Sequence, residues 1–207
     1  MPVAAVLFDF GGVLSSSPFD AFARYEAERG LPAGLLRRVN ATNPDANAWA
    51  MLERSEIDVD EFGRRFSEEA LALGHAVDGA EVLGLLAGDL RPAMVEAVRR
   101  CHERLRTALL TNNVVGAFAD ADDAFRSVLP LFDVVLESSK VGVRKPDPRF
   151  YEMACEALGV VPQDAVFLDD LGVNLKPARA MGMTTIKVDD PARAIAELEA
   201  VVGFPLR

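Results

Sequence analysis

Cysteine, histidine and tryptophan are scarce in this 207-residue chain, which has two cysteines, two histidines and one tryptophan. Cys101 and Cys155 are far apart and fit neither a metal-binding nor a redox spacing, so we expect two reduced cysteines in or near helices. His75 and His102 do not follow predicted strands, and we expect both to be structural or exposed. These absences argue against a disulfide framework and against a cysteine-bound metal.

Long apolar runs and excess positive charge are absent as well. No stretch approaches the ~18 to 20 uninterrupted apolar residues that a membrane-spanning helix needs, and the amino terminus lacks the basic leader of a signal peptide. The net charge is −10, because 22 lysines and arginines face 32 aspartates and glutamates. We therefore expect a cytoplasmic protein that binds neither membranes nor nucleic acids. A small phosphorylated substrate stays compatible, because a divalent cation can offset local charge.

The stretch from Val3 to Leu14, VAAVLFDFGGVL, is the most informative part of the sequence. Its apolar and β-branched residues predict a strand buried on both faces, as in a parallel sheet. The strand ends at Asp9, and Gly11-Gly12 then breaks the pattern. Open α/β sheets bind ligands at the carboxyl ends of their strands. Asp9 is therefore either a cap for the next turn or a nucleophile or metal ligand.

The remaining chain divides into a helical block and a regular alternation of strands and helices. Residues 15–89 carry helical spacing without a strand signal. Beyond residue 90, strands alternate with helices, including helices predicted over residues 114–129, 146–158 and 176–181. Strict alternation is typical of a doubly wound parallel α/β sheet. We predict a Rossmann-like core of residues 1–14 and 90–207, with an all-helical cap of residues 15–89 inserted after the first strand.

Polar residues stand at or just beyond the ends of four predicted strands. In chain order they are Asp9, Thr111, Asn112, Lys145, which lies a loop beyond its strand, Asp169 and Asp170. Because the ends of parallel strands lie side by side, we expect these side chains to share one crevice. Together they can coordinate a divalent cation through oxygen atoms and hold a phosphoryl group by hydrogen bonds and positive charge. A turn or cap role explains any one of them but not the whole set.

Four segments resemble motifs one to four of the haloacid dehalogenase superfamily, in the same order: FDFGGVL, LLTNN, GVRKPDP and VFLDDLGVNLKPARAMGM. The resemblance covers the predicted sheet, and the helical block lies where that superfamily places its type-one cap. The last segment is similar to the amino-terminal phosphatase domain of mammalian soluble epoxide hydrolase. The first resembles the equivalent domain of acyl-CoA dehydrogenase fusion proteins.

The resemblance implies a phosphatase of the aspartyl-phosphate type. Asp9 would be the nucleophile that takes the phosphoryl group. Thr111 and Asn112 would position that group, and Lys145 would balance the charge on it and on Asp9.

The resemblance also implies Mg²⁺ as the cofactor. Asp9, Asp170 and the main-chain carbonyl of Gly11 would be its ligands. Asp169 would act through a water molecule or by orienting the ligands, and Asn174 would orient the acidic loop.

Gly11 departs from the usual phosphatase motif, Asp-x-Asp, whose second aspartate protonates the leaving oxygen and then activates water. A glycine cannot transfer a proton, and general acid–base catalysis is worth about 10² to 10⁴ in rate. We therefore predict a weak or selective phosphomonoesterase, slowest on esters with poor leaving groups. Two alternatives stay open: a scaffold that binds a ligand or partner with little catalysis, and a metal-independent 2-haloacid dehalogenase.

The cap is expected to select the substrate, as active-site lids do. Trp49 and Arg54 flank a polar loop over residues 43–47 and are the two candidate substrate contacts. Packing inside the cap is the alternative for Trp49, and an ion pair is the alternative for Arg54. The sequence is compatible with a monomer or a homodimer.

Overall fold

A computed structural model describes residues 2–86, 88–117 and 123–207. Within them, five parallel strands form one sheet in the order β3-β2-β1-β4-β5. Their bounds are β1 (Ala5–Phe8), β2 (Arg106–Thr111), β3 (Val134–Glu137), β4 (Ala165–Asp169) and β5 (Thr184–Lys187). The central strand, β1, pairs with β2 and β4 and is fully buried along its length. The predicted parallel α/β sheet is confirmed.

In the described part of the chain, the first five α-helices after β1 form a helical insertion, residues 18–84. They are α1 (Pro18–Glu28), α2 (Leu35–Ala41), α3 (Ala48–Glu53), α4 (Val59–Ala72) and α5 (Gly79–Gly84). The insertion has its own apolar cluster, in which Trp49 packs against Phe62 and Phe66. Its two ends lie together, because Ser15 pairs with Leu90 in an antiparallel bridge. The domain boundaries at residues 14/15 and 89/90 stay a prediction.

Among the residues that the structure describes, six further α-helices follow the insertion. They are α6 (Pro92–His102), α7 (Asp123–Val128), α8 (Ser138–Val141), α9 (Pro148–Leu158), α10 (Gly172–Ala180) and α11 (Pro191–Val202). Alternate β1 side chains point to opposite faces of the sheet. Val6 and Phe8 pack with residues of α6 and α11, whereas Ala5 and Leu7 pack with residues of α9 and α10. Both faces of the sheet are therefore covered, as the continuous apolar strands require.

Several predicted helix limits are wrong. Residues 114–117 form no helix, and residues 118–122, with Asp120 and Asp122, lie outside the described part of the chain. The helix predicted from residue 146 begins at Pro148, because the Asp147 side chain accepts the Arg149 N–H and caps it. The helix predicted from residue 176 begins at Gly172. The short helix α8 was not predicted.

Both cysteines are free and buried, as expected. No helix within the described ranges is long and apolar enough to cross a membrane.

Candidate active site

The carboxyl end of the sheet holds a buried cluster centred on Lys145. Its ammonium Nζ lies 2.7 Å from Oδ1 of Asp9, which directly follows β1, and 2.8 Å from Oδ2 of Asp169, which ends β4. The lysine is 1% exposed and Asp169 is fully buried. Asp9 accepts no capping hydrogen bond from the turn that follows it. Its side chain therefore serves this cluster and does not cap the turn.

Asp169 is anchored by hydrogen bonds from the start of α10. Its Oδ1 accepts the backbone N–H of Leu171 at 2.8 Å, and the Asn174 amide donates to both carboxylate oxygens at 3.1 Å. The hydroxyl of Tyr151 donates to the Asn174 carbonyl at 2.7 Å. Several donors around one carboxylate fix its orientation. Asn174 thus contacts Asp169 directly, and its role in orienting the acidic loop stays a prediction.

Asn112 fixes the backbone of Lys145. Its side-chain oxygen accepts the Lys145 N–H at 2.9 Å, and its amide donates to the Lys145 carbonyl at 3.0 Å. Thr111, the last residue of β2, is buried, and its hydroxyl lies 3.4 Å from the Asn112 carbonyl. The two residues therefore stand at the strand end beside the lysine, although the Asn112 side chain is already engaged by the protein backbone.

Three carboxylates at this edge could hold a metal ion together. One oxygen from each of Asp9, Asp169 and Asp170 lies within 4.8 Å of the others. Oxygen donors of this kind suit a hard divalent cation such as Mg²⁺. The single ammonium of Lys145 leaves the cluster with excess negative charge.

The pKa values in the cluster follow from this crowding. Burial raises the pKa of Asp9 to about 8, although Lys145 opposes the effect. Burial and the charge of Asp169 raise the pKa of Asp170 to about 6. Burial lowers the pKa of Lys145, but Asp169 and Asp9 outweigh it and raise that pKa overall. A bound cation would reverse the shifts of the two aspartates, because it stabilises their ionised forms.

The two glycines after Asp9 have different surroundings. Gly12 has a positive φ of 78°, and a Cβ there would lie 2.3 Å from Oδ2 of Asp170. Gly11 has φ −68° and ψ 127°, and the nearest atom to its Cβ position is Cδ of Pro18 at 3.9 Å. Gly12 is therefore required for the approach of Asp170, whereas Gly11 has room for a side chain.

The two candidate substrate contacts, Trp49 and Arg54, contact other residues of the helical insertion. Trp49 is 7% exposed and lies edge-on to Phe62, with the ring centroids 4.7 Å apart. Arg54 pairs with Glu56 at 2.6 Å and donates to the Asp45 carbonyl. Trp49 thus packs inside the insertion and Arg54 forms an ion pair, which were the two alternatives to substrate contact. Contact of either residue with substrate stays a prediction.

Sequence reasoning missed two arginines next to the cluster. Arg91 donates to the Gly12 carbonyl at 2.5 Å, and its charge opposes the rise in the pKa of Asp170. Arg144 pairs with Glu53 of the insertion at 2.6 Å. The only available signals were the position of Arg91 at the end of the helical block and that of Arg144 beside Lys145.

Comparisons with known proteins agree with the fold and the motifs. The family model for haloacid dehalogenase-like hydrolases matches residues 3–182. The chain is 38% identical to mouse acyl-CoA dehydrogenase family member 10, covering 98% of this chain and 19% of that protein. It is 31% identical to pig bifunctional epoxide hydrolase 2, covering 100% and 40%. The chain therefore spans well under half the length of these two relatives.

A third relative is close to this chain in length. Phosphatase MT3486 of Mycobacterium tuberculosis is 35% identical, covering 91% of this chain and 88% of that protein. Among solved structures, a HAD family enzyme of Bacteroides thetaiotaomicron, in complex with magnesium and inorganic phosphate, has the same fold. Its TM-score is 0.62 at 18% identity, covering 92% of this chain and 98% of that one. From its motifs, its fold and these matches, the chain belongs to the haloacid dehalogenase-like hydrolases.

Proposed function

We propose that the protein is a Mg²⁺-dependent phosphomonoester hydrolase that acts through an aspartyl-phosphate on Asp9. The observation that carries this proposal is the buried ion pair of Lys145 with Asp9, next to the carboxylates of Asp169 and Asp170. Several curated relatives are phosphatases, including Phosphatase MT3486 and validoxylamine A 7'-phosphate phosphatase. Their names support a small phosphorylated molecule as the substrate class.

The donor set fits Mg²⁺. The carboxylates of Asp9 and Asp170, with the main-chain carbonyl of Gly11, would hold the ion, and Asp169 would keep Lys145 and the acidic loop in place. When ionised, three carboxylates around one ammonium carry excess negative charge, and Asp9 and Asp169 are buried, so this charge is costly unless a cation compensates it. Bound Mg²⁺ would neutralise negative charge on the phosphoryl group and on Asp9.

In the first step, a carboxylate oxygen of Asp9 would attack the substrate phosphorus. The new O–P bond forms as the bond to the leaving oxygen breaks, and that oxygen departs with the bonding electrons. Lys145 would hold Asp9 and stabilise charge on the phosphoryl oxygens. In the second step, a water oxygen would bond to the phosphorus as the O–P bond to Asp9 breaks, which restores the Asp9 carboxylate and releases phosphate that carries the protons of the water.

The leaving oxygen has no acid at the usual position, because that position is Gly11. Esters whose leaving group is stable as an anion need no such acid, whereas alkyl esters do. We therefore propose a weak or selective enzyme that favours good leaving groups. The same proposal includes substrate contacts in the insertion, a cytoplasmic location and a monomeric or homodimeric state.

A chelator should inhibit the enzyme. With EDTA in excess, phosphate release from an aryl phosphate should fall by about 10³-fold or more, since the metal contributes several kcal/mol of charge stabilisation. Added Mg²⁺ should restore the rate.

The same assay separates the alternatives. A metal-independent dehalogenase would release halide from 2-chloropropionate equally well with chelator. A binding scaffold would gain thermal stability with Mg²⁺ yet release no phosphate from any member of a broad panel of sugar, nucleotide, lipid and aryl phosphates. Either result would contradict the proposed function.

Gly12→Ala should weaken the metal site. The added Cβ would overlap Oδ2 of Asp170 at 2.3 Å and must displace this carboxylate, and alanine also disfavours the positive φ. Displacing a carboxylate or its supporting contacts costs about 10- to 100-fold in metal affinity. We expect the Mg²⁺ concentration for half-maximal activity to rise by this factor.

Gly11→Ala is the matched control for this prediction. Its Cβ meets only Pro18 at 3.9 Å, so the Mg²⁺ dependence should stay that of the parent protein. Equal Mg²⁺ dependence of the two variants would show that the approach of Asp170 to Gly12 is not part of the metal site.

A further inference from the structure

One partly buried ion pair joins the helical insertion to the core beside Lys145. Glu53, the last residue of α3, lies with Oε2 2.6 Å from Nε of Arg144. Their side chains are only 15% and 21% exposed. Every other ion pair among the described residues lies wholly within the insertion or wholly within the core. This pair is therefore the charged link between the two parts.

Two hydrogen bonds accompany this ion pair. Nη1 of Arg144 donates to the Pro44 carbonyl at 3.0 Å, and the Ser55 hydroxyl donates to the Ser139 carbonyl at 2.7 Å. Ser55 has a left-handed backbone with φ 59°, which is uncommon for residues other than glycine. The segment around Glu53 is thus held against residues 138–145 of the core at several points.

On the core side, the partner of Glu53 is Arg144, which directly precedes Lys145 in the chain. Burial raises the pKa of Glu53, and the positive charges of Arg144 and Lys145 oppose that rise. The side chain of Asn112 forms hydrogen bonds with both the N–H and the carbonyl of Lys145. The insertion is therefore linked through Arg144 to Lys145, the next residue in the chain, whose backbone is held by Asn112.

From these contacts we infer that Glu53 is a positioning residue for the proposed reaction. Its ion pair with Arg144 couples docking of the helical insertion to the placement of the Lys145 ammonium between Asp9 and Asp169. The kinetic part of this inference rests on the proposed function. Removing one member of a buried pair leaves the other charge uncompensated, so the residue 138–147 segment should loosen when Glu53 loses its charge.

Glu53→Gln tests this coupling in two ways, by hydrogen exchange of backbone amides in residues 138–147 and by turnover of p-nitrophenyl phosphate with Mg²⁺. We expect faster exchange at the Lys145 amide. We also expect kcat to fall about 10- to 100-fold, as small misplacements of catalytic groups do. Arg144→Gln should act alike, and the double variant should be no slower than the slower single variant, because both changes break one interaction.

Glu81→Gln is the control variant. It breaks the 2.7 Å ion pair of Glu81 with Arg29, and both of these residues belong to the insertion. Exposed ion pairs contribute little to stability. Both the exchange rate and kcat should therefore stay within about twofold of the parent. Trp49, the single tryptophan, lies in the apolar cluster of the insertion. Its fluorescence reports whether the insertion of each variant is folded.

Unchanged exchange over residues 138–147 in both Glu53→Gln and Arg144→Gln would overturn the inference. So would an equal loss of kcat in Glu81→Gln, because any loosening of the insertion would then suffice. If Glu53→Gln loses the Trp49 signal, Arg144→Gln tests the same pair from the core side. If the parent protein itself releases no phosphate, the proposed function fails, while the exchange comparison still decides the coupling.

Discussion

Asp9→Asn should abolish phosphate release, with a fall on the order of 10⁴-fold or more in kcat, as loss of a nucleophile causes. The amide of asparagine is a poor nucleophile and cannot form the acyl phosphate. It also carries no charge for Lys145, whose ammonium lies 2.7 Å from the native carboxylate. Release of inorganic phosphate from an aryl ester, followed under excess Mg²⁺, measures this effect.

Asp190→Asn is a matched control for that variant. Asp190 also follows a strand, β5, but its side chain caps α11 by accepting the Arg193 N–H at 2.8 Å. Asparagine caps helices about as well as aspartate, so this variant should keep its activity. Activity that survived in Asp9→Asn would place the nucleophile elsewhere and remove the basis of the mechanism.

Gly11→Asp should have the second largest effect, and in the opposite direction. A carboxyl group there can protonate the leaving oxygen and then activate water, which is worth about 10² to 10⁴ in rate. The backbone of Gly11 is extended, and only Pro18 Cδ lies near the Cβ position, at 3.9 Å. The Cβ of the new side chain therefore meets only an ordinary van der Waals contact.

The gain should depend on the leaving group. Turnover of alkyl phosphates should rise by about 10²-fold or more, and turnover of aryl phosphates much less, because their leaving groups need little protonation. Gly11→Asn is the control of equal size that cannot donate a carboxylic proton. If Gly11→Asp were no faster than Gly11→Asn on an alkyl phosphate, the missing acid would not be what limits this enzyme.

The sheet could be predicted from the sequence because its strands are short apolar runs closed by polar residues or glycine. The run from Val3 ends at Asp9, and the run from Ala165 ends at Asp169. Parallel pairing of such runs brings their ends together, which is why Lys145 and the two aspartates could be expected in one crevice. The prediction succeeded where local pattern and topology alone determine position.

Other features depend on contacts between distant residues, and the sequence does not encode them locally. The Gly11-Gly12 pair marks a break, but only the approach of Asp170 distinguishes the two glycines. The partner of Arg144 is Glu53, 91 positions earlier, and no spacing rule links them. The spacing of polar and apolar residues from Val114 is helical, which is why a helix was predicted there. Residues 114–117 form a turn instead.

A crystal structure of the protein with Mg²⁺ and beryllium fluoride tests the central claim most directly, because beryllium fluoride mimics a phosphoryl group on a carboxylate. The proposed mechanism predicts beryllium bonded to a carboxylate oxygen of Asp9, with Lys145 beside the fluorides and Mg²⁺ held by Asp9 and Asp170. An unmodified Asp9, or a metal bound away from Asp170, would contradict it.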